Sequence, residues 1–235
     1  MVSSQRVLLV AAERREFDGL LRHCSSVKRI RWPIYWAAYG ECAGRKFWMA
    51  ANGAGPLHAG KALDAGVPEC RPDAVVSLGF CGALDQAMEI GDVFVATTVV
   101  GAGQQWPMCV PRSDCAYKTG TLVSIPRVAQ TAAEKAELRA TGASAVEMEA
   151  AGVAQRAAAG GIPTFCVRSV SDLARQSFVT DFNGALRPDG HFATIRILSS
   201  VIRDPAKALP ELIRLRRNCQ IATRTLGDFI AGCRF

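Results

Sequence analysis

Residues 144–152 read SAVEMEAAG, two carboxylates set either side of Met148 where a short apolar run meets an alanine-rich segment. The run has the length and β-branched character of a buried strand, and the alanines that follow favour a helix. Positions two apart on a helix face different ways, so Glu147 and Glu149 should do different work, one of them pointing inward.

The same alternation extends along the chain. Short apolar runs, many of them containing valine, at 7–10, 46–51, 74–78, 93–100, 121–125, 145–148 and 165–169 read as strands. Segments 13–22, 57–65, 128–141, 149–159, 192–202 and 209–231 read as helices, with Pro205 separating the last two. Apolar strands alternating with helices predict an α/β fold, a three-layer α/β/α arrangement with helices over a largely buried sheet. Glycines close the strands in ANGAGP (51–56), SLGFCGAL (77–84) and AAAGG (157–161), where ligands of α/β sheets collect. None of these fits a dinucleotide fingerprint or a P-loop. The stretch from 100 to 117 has prolines, glycines and no period, and is expected as a long loop.

At 235 residues, with 49% hydrophobic and 21% charged side chains, the chain can bury one substantial core, and a single domain over 1–235 is expected. No run approaches the ~18 apolar residues of a membrane span, and the N-terminal segment turns charged too early for a signal peptide, which predicts a cytoplasmic protein. The nine cysteines are scattered and form no CxxC pair. Most, such as Cys81 and Cys166, read as buried reduced thiols, and with only three histidines no metal site is expected. The net charge of +7 is concentrated in the basic helical segment 192–235, whose part from Asp204 onward carries Lys207, Arg214, Arg216, Arg217, Arg224 and Arg234. This is a solvated helix face, or a surface that rests on anionic lipid or phosphate. No nucleic-acid module or interleaved aromatics accompany it, so nucleic acid is not expected as a partner.

Three acidic positions follow strands: Glu13 and Glu16 after VLLVAA, Glu147 and Glu149 in AVEMEA, and Asp172 after FCVRSVS. Each alone reads as a helix cap meeting the helix dipole. Together at one sheet edge they suit another task. Asp172 can share a proton with a heterocyclic leaving group, Glu149 can accept hydrogen bonds from paired hydroxyls, and a first-loop glutamate can orient an attacking water. Acid, anchor and base break a glycosidic bond through an oxocarbenium-like transition state.

RVLLVAAERREF, VVSLGFCGALDQAMEIGDVFVA and SAVEMEAAGVAQRAAAGGIPTFCVRSVSD resemble the nucleoside phosphorylase superfamily, most of all its 5′-methylthioadenosine/S-adenosylhomocysteine nucleosidase branch. The resemblance implies a phosphorylase/hydrolase-like fold with a mixed, partly barrel-like sheet, and cleavage of a purine nucleoside of the adenine type without metal or organic cofactor. It implies that Glu149 binds the ribose hydroxyls, with Met148 against sugar and base and Glu147 assisting the backbone or the sugar's edge. Asp172 would protonate the purine ring nitrogen, supported by Ser171 and Arg168, and Phe182 would close over the base. Spacing from Ala12 points to Glu16 as the water-orienting base, with Glu13 as its competitor.

Departures from the pattern bear on the reaction. At the phosphate position of phosphorylases, the turn containing Gly82 carries Ser77 and Phe80, which favours hydrolysis, although Arg14, Arg15 or Arg45 can supply another anion site. Val128 stands where many nucleosidases have an aromatic. The later segment FNGALRPDGHFATIRILSSVIRDPAKALPELIRLRRNCQ resembles hopanoid-associated phosphorylase-like proteins, implying an adenosine attached to a triterpenoid and contact with a membrane surface. The resemblance also implies a homo-oligomer in which a neighbour's loop, here the one bearing Trp106, completes the pocket. The alternatives are phosphorolysis, with phosphate as co-substrate, and a non-catalytic nucleoside-binding protein.

Overall fold

The computed structural model describes residues 5–42 and 44–235. The N-terminal part runs β1 (Val7–Ala11), a 3₁₀ turn (Arg14–Phe17), α1 (Asp18–Leu21), β2 (Cys24–Ile30), β3 (Trp36–Cys42), β4 (Arg45–Ala51) and α2 (Pro56–Cys70). Then come β5 (Ala74–Ala83), β6 (Val93–Gly101), β7 (Gln104–Pro107), β8 (Lys118–Ser124), α3 (Ala132–Ala140), β9 (Ala145–Glu147), α4 (Ala150–Ala159) and β10 (Thr164–Asp172). A short α5 (Phe182–Ala185), α6 (Thr194–Arg203) and α7 (Pro205–Gly232) complete the chain.

Strands β10, β6, β8, β9 and β5 follow one another in the sheet, and β5 pairs back to β10, closing a five-stranded barrel. From β5 the sheet continues outward through β1, β4, β3 and β2. Parallel pairs β1–β4, β1–β5, β5–β10, β6–β8 and β8–β9 mix with antiparallel ones, so the expected α/β architecture with a mixed, partly barrel-like sheet is the one observed.

β1 explains why its sequence is apolar without alternation. Val7, Leu9 and Ala11 face a layer holding Phe17, Leu20, Leu226 and Phe229, whereas Leu8 and Val10 face Ala59, Leu63 and Val153 from α2 and α4. Both faces are covered, so neither can be polar. α7 approaches α1 closely because Gly19 and Gly227 meet there: a Cβ on either would come within 1.9 or 2.1 Å of the other element's backbone.

Several expected boundaries change. The 13–22 helix is a 3₁₀ turn followed by one short helix, and helix 128–141 starts only at Ala132, capped by Thr131, whose hydroxyl accepts from the Glu134 N–H at 3.1 Å. The 100–117 loop contains β7, hairpinned on β6, and Trp106 within it packs against the barrel core. β2 and β3 were not expected: β2 is an exposed edge of mostly polar residues, and β3 interrupts its Trp and Tyr with Ala, Gly and Glu, which are depleted in strands. Cys24 and Cys42, register partners on those two strands, form a disulfide that the scattered cysteine spacing did not signal. Cys81 and Cys166 are buried and free. Among the described residues, no helix is long and apolar enough to cross a membrane.

Candidate active site

A cavity of about 1020 Å³ opens at the carboxyl ends of β1, β5, β9 and β10, lined by Glu13, Glu16, Phe80, Gly82, Val128 and Glu147 to Glu149, with Ser171, Asp172 and Phe182 on the remaining wall. Of the site residues expected from sequence, only Arg168 is outside the lining.

Glu147 ends β9, and its carboxylate accepts the Glu149 N–H at 2.9 Å and the Ala150 N–H at 2.9 and 3.1 Å. It therefore satisfies amides at the start of α4 and sits at the positive end of that helix dipole. Arg168 is fully buried behind it and pairs with the same carboxylate, and it also donates to the Ser77 hydroxyl at 2.8 Å and the Val167 carbonyl at 3.2 Å. Burial alone would lower the Arg168 pKa, but surrounding groups, Glu147 and Glu149 among them, raise it above its ordinary value. Glu147 and Arg168 thus form a buried structural pair at the base of the cavity, with Glu147 in its lining and Arg168 behind it.

Glu149 turns the other way. Its Oε1 accepts the Gly55 N–H at 2.8 Å, presented by a loop in which Gly55 has φ 101° immediately before Pro56 opens α2. A side chain at that φ would be strained, so glycine is required to aim the amide. Burial, then the Glu147 charge, push the Glu149 carboxyl up to about 8, against the pull of Arg168. The two glutamates of SAVEMEAAG hence separate into a helix-capping group and a cavity-facing group.

Glu16 is buried, with Oε2 accepting the Glu13 N–H at 2.8 Å and Oε1 accepting the Phe80 N–H at 3.1 Å. Burial raises its pKa, opposed by the Glu13 amide and the Arg168 charge. Glu13 is more exposed and pairs with Arg15 at 2.8 Å. The geometry therefore places Glu16, rather than Glu13, as the carboxylate fixed against the glycine turn of β5.

β10 is buried along its whole length and its register with β5 shifts between Val170 and Asp172. This irregularity re-aims the strand end. Asp172 Oδ2 accepts the Ser171 hydroxyl at 3.0 Å, and Oδ1 pairs with Lys135, which also donates to the Leu173 carbonyl at 2.9 Å. Gly82 is needed opposite: a Cβ there would meet Asp172 Oδ1 at 2.9 Å and Val146 at 3.2 Å.

Lys135 is a site residue that sequence reading missed, because it lies on α3 among polar residues and looks solvated; its side chain is 1% exposed. Phe178 and Phe192 were missed too. They meet Phe182 edge-on, with centroids 5.2 and 6.1 Å away, and Phe178 lies 5.3 Å from the Lys135 ammonium. The cluster F-x₃-F at 178–182 followed by Phe192 was the available signal. Val128 reaches the cavity through a reciprocal amide contact, its N–H donating to Asn183 Oδ1 at 2.8 Å and its carbonyl accepting from Nδ2 at 3.0 Å. The candidate anion-binding arginines are differently engaged. Arg14 pairs with Asp18, Arg15 with Glu13, and Arg45 donates to the last carbonyls of α7.

Residues 111–203 match the model of the Phosphorylase superfamily. The chain is 25% identical over 171 residues to 5′-methylthioadenosine/S-adenosylhomocysteine nucleosidases of Staphylococcus aureus, covering 60% of this chain and 75% of theirs. Over the matched segment the chain is thus similar to the phosphorylase superfamily and to its nucleosidases. Solved structures agree in fold. The Neisseria meningitidis 5′-methylthioadenosine/S-adenosylhomocysteine nucleosidase bound to methylthio-immucillin-A aligns over 97% of both chains with TM-score 0.73 and 21% identity. The Helicobacter pylori futalosine hydrolase aligns over 97% of both with TM-score 0.73 and 17% identity.

Proposed function

We propose that this chain hydrolyses the N-glycosidic bond of a purine nucleoside, with adenine as the leaving base. The carrying observation is the convergence of Glu16, Glu149 and Asp172 on one cavity, each held by a different partner. Glu149 accepts from the ribose hydroxyls, and Met148 packs on the sugar. Phe182, with Phe178, covers the base. Asp172 delivers a proton to a purine ring nitrogen as the bond to the anomeric carbon breaks, held by Ser171 and Lys135. Glu16 takes a proton from the water that attacks that carbon, leaving free base and ribose. No cofactor enters the scheme.

Hydrolysis is favoured over phosphorolysis because Ser77 is fully buried outside the cavity lining and Phe80 has no donor side chain. An anion at that turn would also face the Glu16 carboxylate. A second reading, phosphorolysis, draws on Arg15, Arg22, Arg127, Arg216 and Arg224, which line the same cavity.

The 5′ substituent in this proposal is a long apolar one, as in an adenosine joined to a hopane. A volume at the upper end of small-molecule sites and the apolar wall of Phe192, Ile197, Leu212 and Leu215 support it. The enzyme would act in the cytoplasm, as a homo-oligomer whose Trp106 hairpin reaches a neighbouring pocket.

The test is adenine release from adenosine, methylthioadenosine and an adenosine with a long alkyl 5′ group, with and without phosphate, alongside Asp172→Asn. Phosphate-independent release that the substitution abolishes is expected. Release only with phosphate establishes the second reading, and tight binding without release from any substrate establishes a nucleoside-binding protein.

A further inference from the structure

None of the ten residues of α6 is buried, although half of them are apolar. Ile195, Leu198 and Ile202 are 83%, 52% and 82% exposed. Their spacing of three and four residues puts them on one stripe of the helix. Exposed Leu209 and Ile213 extend apolar surface onto the first half of α7, beside a shallow groove that also includes Ile90 and Ile221. A run of large apolar side chains held in water this way marks a surface built to meet something.

The charges beside the stripe indicate what. From 194 to 217 the chain carries Arg196, Arg203, Lys207, Arg214, Arg216 and Arg217 against Asp204 and Glu211. Asp204 pairs with Lys207 at 3.3 Å, which leaves the five arginines, set against Glu211 alone, as the net charge. Glu211 is buried and accepts the Val179 and Thr180 amides at 2.7 and 2.9 Å, and Asp204 accepts the Lys207 amide at the start of α7. A cationic helix pair with a projecting isoleucine stripe matches a bilayer interface, where apolar side chains enter the acyl boundary and arginines meet lipid phosphates.

The inner side of the same helices belongs to the candidate active site: Thr194 and Ile197 of α6 and Leu212 and Leu215 of α7 line its cavity. We propose that α6 and the first half of α7 form a docking surface for an anionic lipid bilayer, with Ile195, Leu198 and Ile202 inserted, so that the cavity lies against the membrane. Docking itself stands on the outer face of the helices. Its consequence, entry of a nucleoside whose apolar 5′ extension lodges in the bilayer, rests on the function proposed above.

The test is sedimentation of the full chain with vesicles of phosphatidylcholine alone or mixed with phosphatidylglycerol, compared with Ile195→Glu/Ile202→Glu, together with sedimentation velocity without lipid. Binding to the anionic vesicles alone, weakened by salt and lowered at least about tenfold in the variant, is expected. Thermal melts check that the variant keeps the fold. No binding by the parent chain, or equal binding by the variant, overturns the proposal. So does a parent dimer that the variant dissociates, which would make a second copy the occupant. Adenine release from adenosine in the absence of lipid should be unchanged by the variant. If adenosine proves not to be a substrate at all, the vesicle result still stands or falls by itself.

Discussion

Replacing Arg168 by methionine removes a guanidinium that is fully buried and leaves the Glu147 carboxylate, 1% exposed, without its cation. The carboxylate keeps its amides at Glu149 and Ala150, but these satisfy lone pairs and not the charge. Breaking one side of a buried pair costs about 3–5 kcal/mol, whereas removing both sides is often close to neutral. At roughly 2–4 °C per kcal/mol for a chain of this size, Arg168→Met should lower the melting temperature by about 6–20 °C. Arg168→Met/Glu147→Gln should recover a large part of that loss, giving a coupling of up to about 3 kcal/mol in a double-mutant cycle. Urea denaturation and thermal melts of the four proteins measure it. A cost for Arg168→Met below about 1 kcal/mol, or simple additivity in the cycle, would refute the assignment of this pair as the element that holds the start of α4 and so aims Glu149.

The remaining expectations concern other parts of the site and its frame. Glu149 titrates near 8 in the folded chain against an ordinary value of 4.5, so the folded state holds the extra proton between those values. Its contribution is fully present below about pH 4.5 and lost as pH rises to about 8; the stability difference between wild type and Glu149→Gln should shift across that window, and a pH-independent difference would contradict the environment described. Lys135→Met strands Asp172 beside the purine site, and its cost should be relieved by adding Asp172→Asn, with a coupling of about 0.5–3 kcal/mol; additive melts would show that the pair is not interacting. Glu16→Gln should lower adenine release by about 10²–10⁴ while Glu13→Gln has a far smaller effect, and the reverse order would reassign the base. Gly19→Ala should cost about 1–3 kcal/mol or more, because its methyl would meet the Thr223 carbonyl of α7 at 1.9 Å; a melt within experimental scatter of wild type would mean that α1 and α7 can part without penalty.

What the chain discloses by itself depends on whether a residue's partners are close in sequence. The strand at 7–10, the strand at 165–169 and the α4 segment were legible because apolar runs and alanine content are local properties, and burial on both faces makes them unambiguous. Glu147, Glu149 and Asp172 could be singled out because each follows such a run. β2 escaped because an edge strand with polar side chains has no period to read, and the helix read at 13–22 shrank because a 3₁₀ turn shares much of a helix's pattern.

Local pattern does not settle whether Glu147 and Glu149 share a direction, because Glu147 ends β9 and Glu149 stands just before α4, so the rule that separates residues two apart on a helix does not apply to them. Nor does it decide which of them is inward. That was decided by Arg168, 21 positions away along the chain from Glu147, and by the Gly55 amide, 94 positions from Glu149. Lys135 is the clearest case: on its own helix it is an ordinary lysine, and only the closure of β10 onto the barrel brings Asp172 to it, 37 residues distant. A carboxylate's position in the chain is set by its neighbours in sequence, but its charge, direction and partner are set by electrostatics over a few ångströms, which only the folded chain brings together.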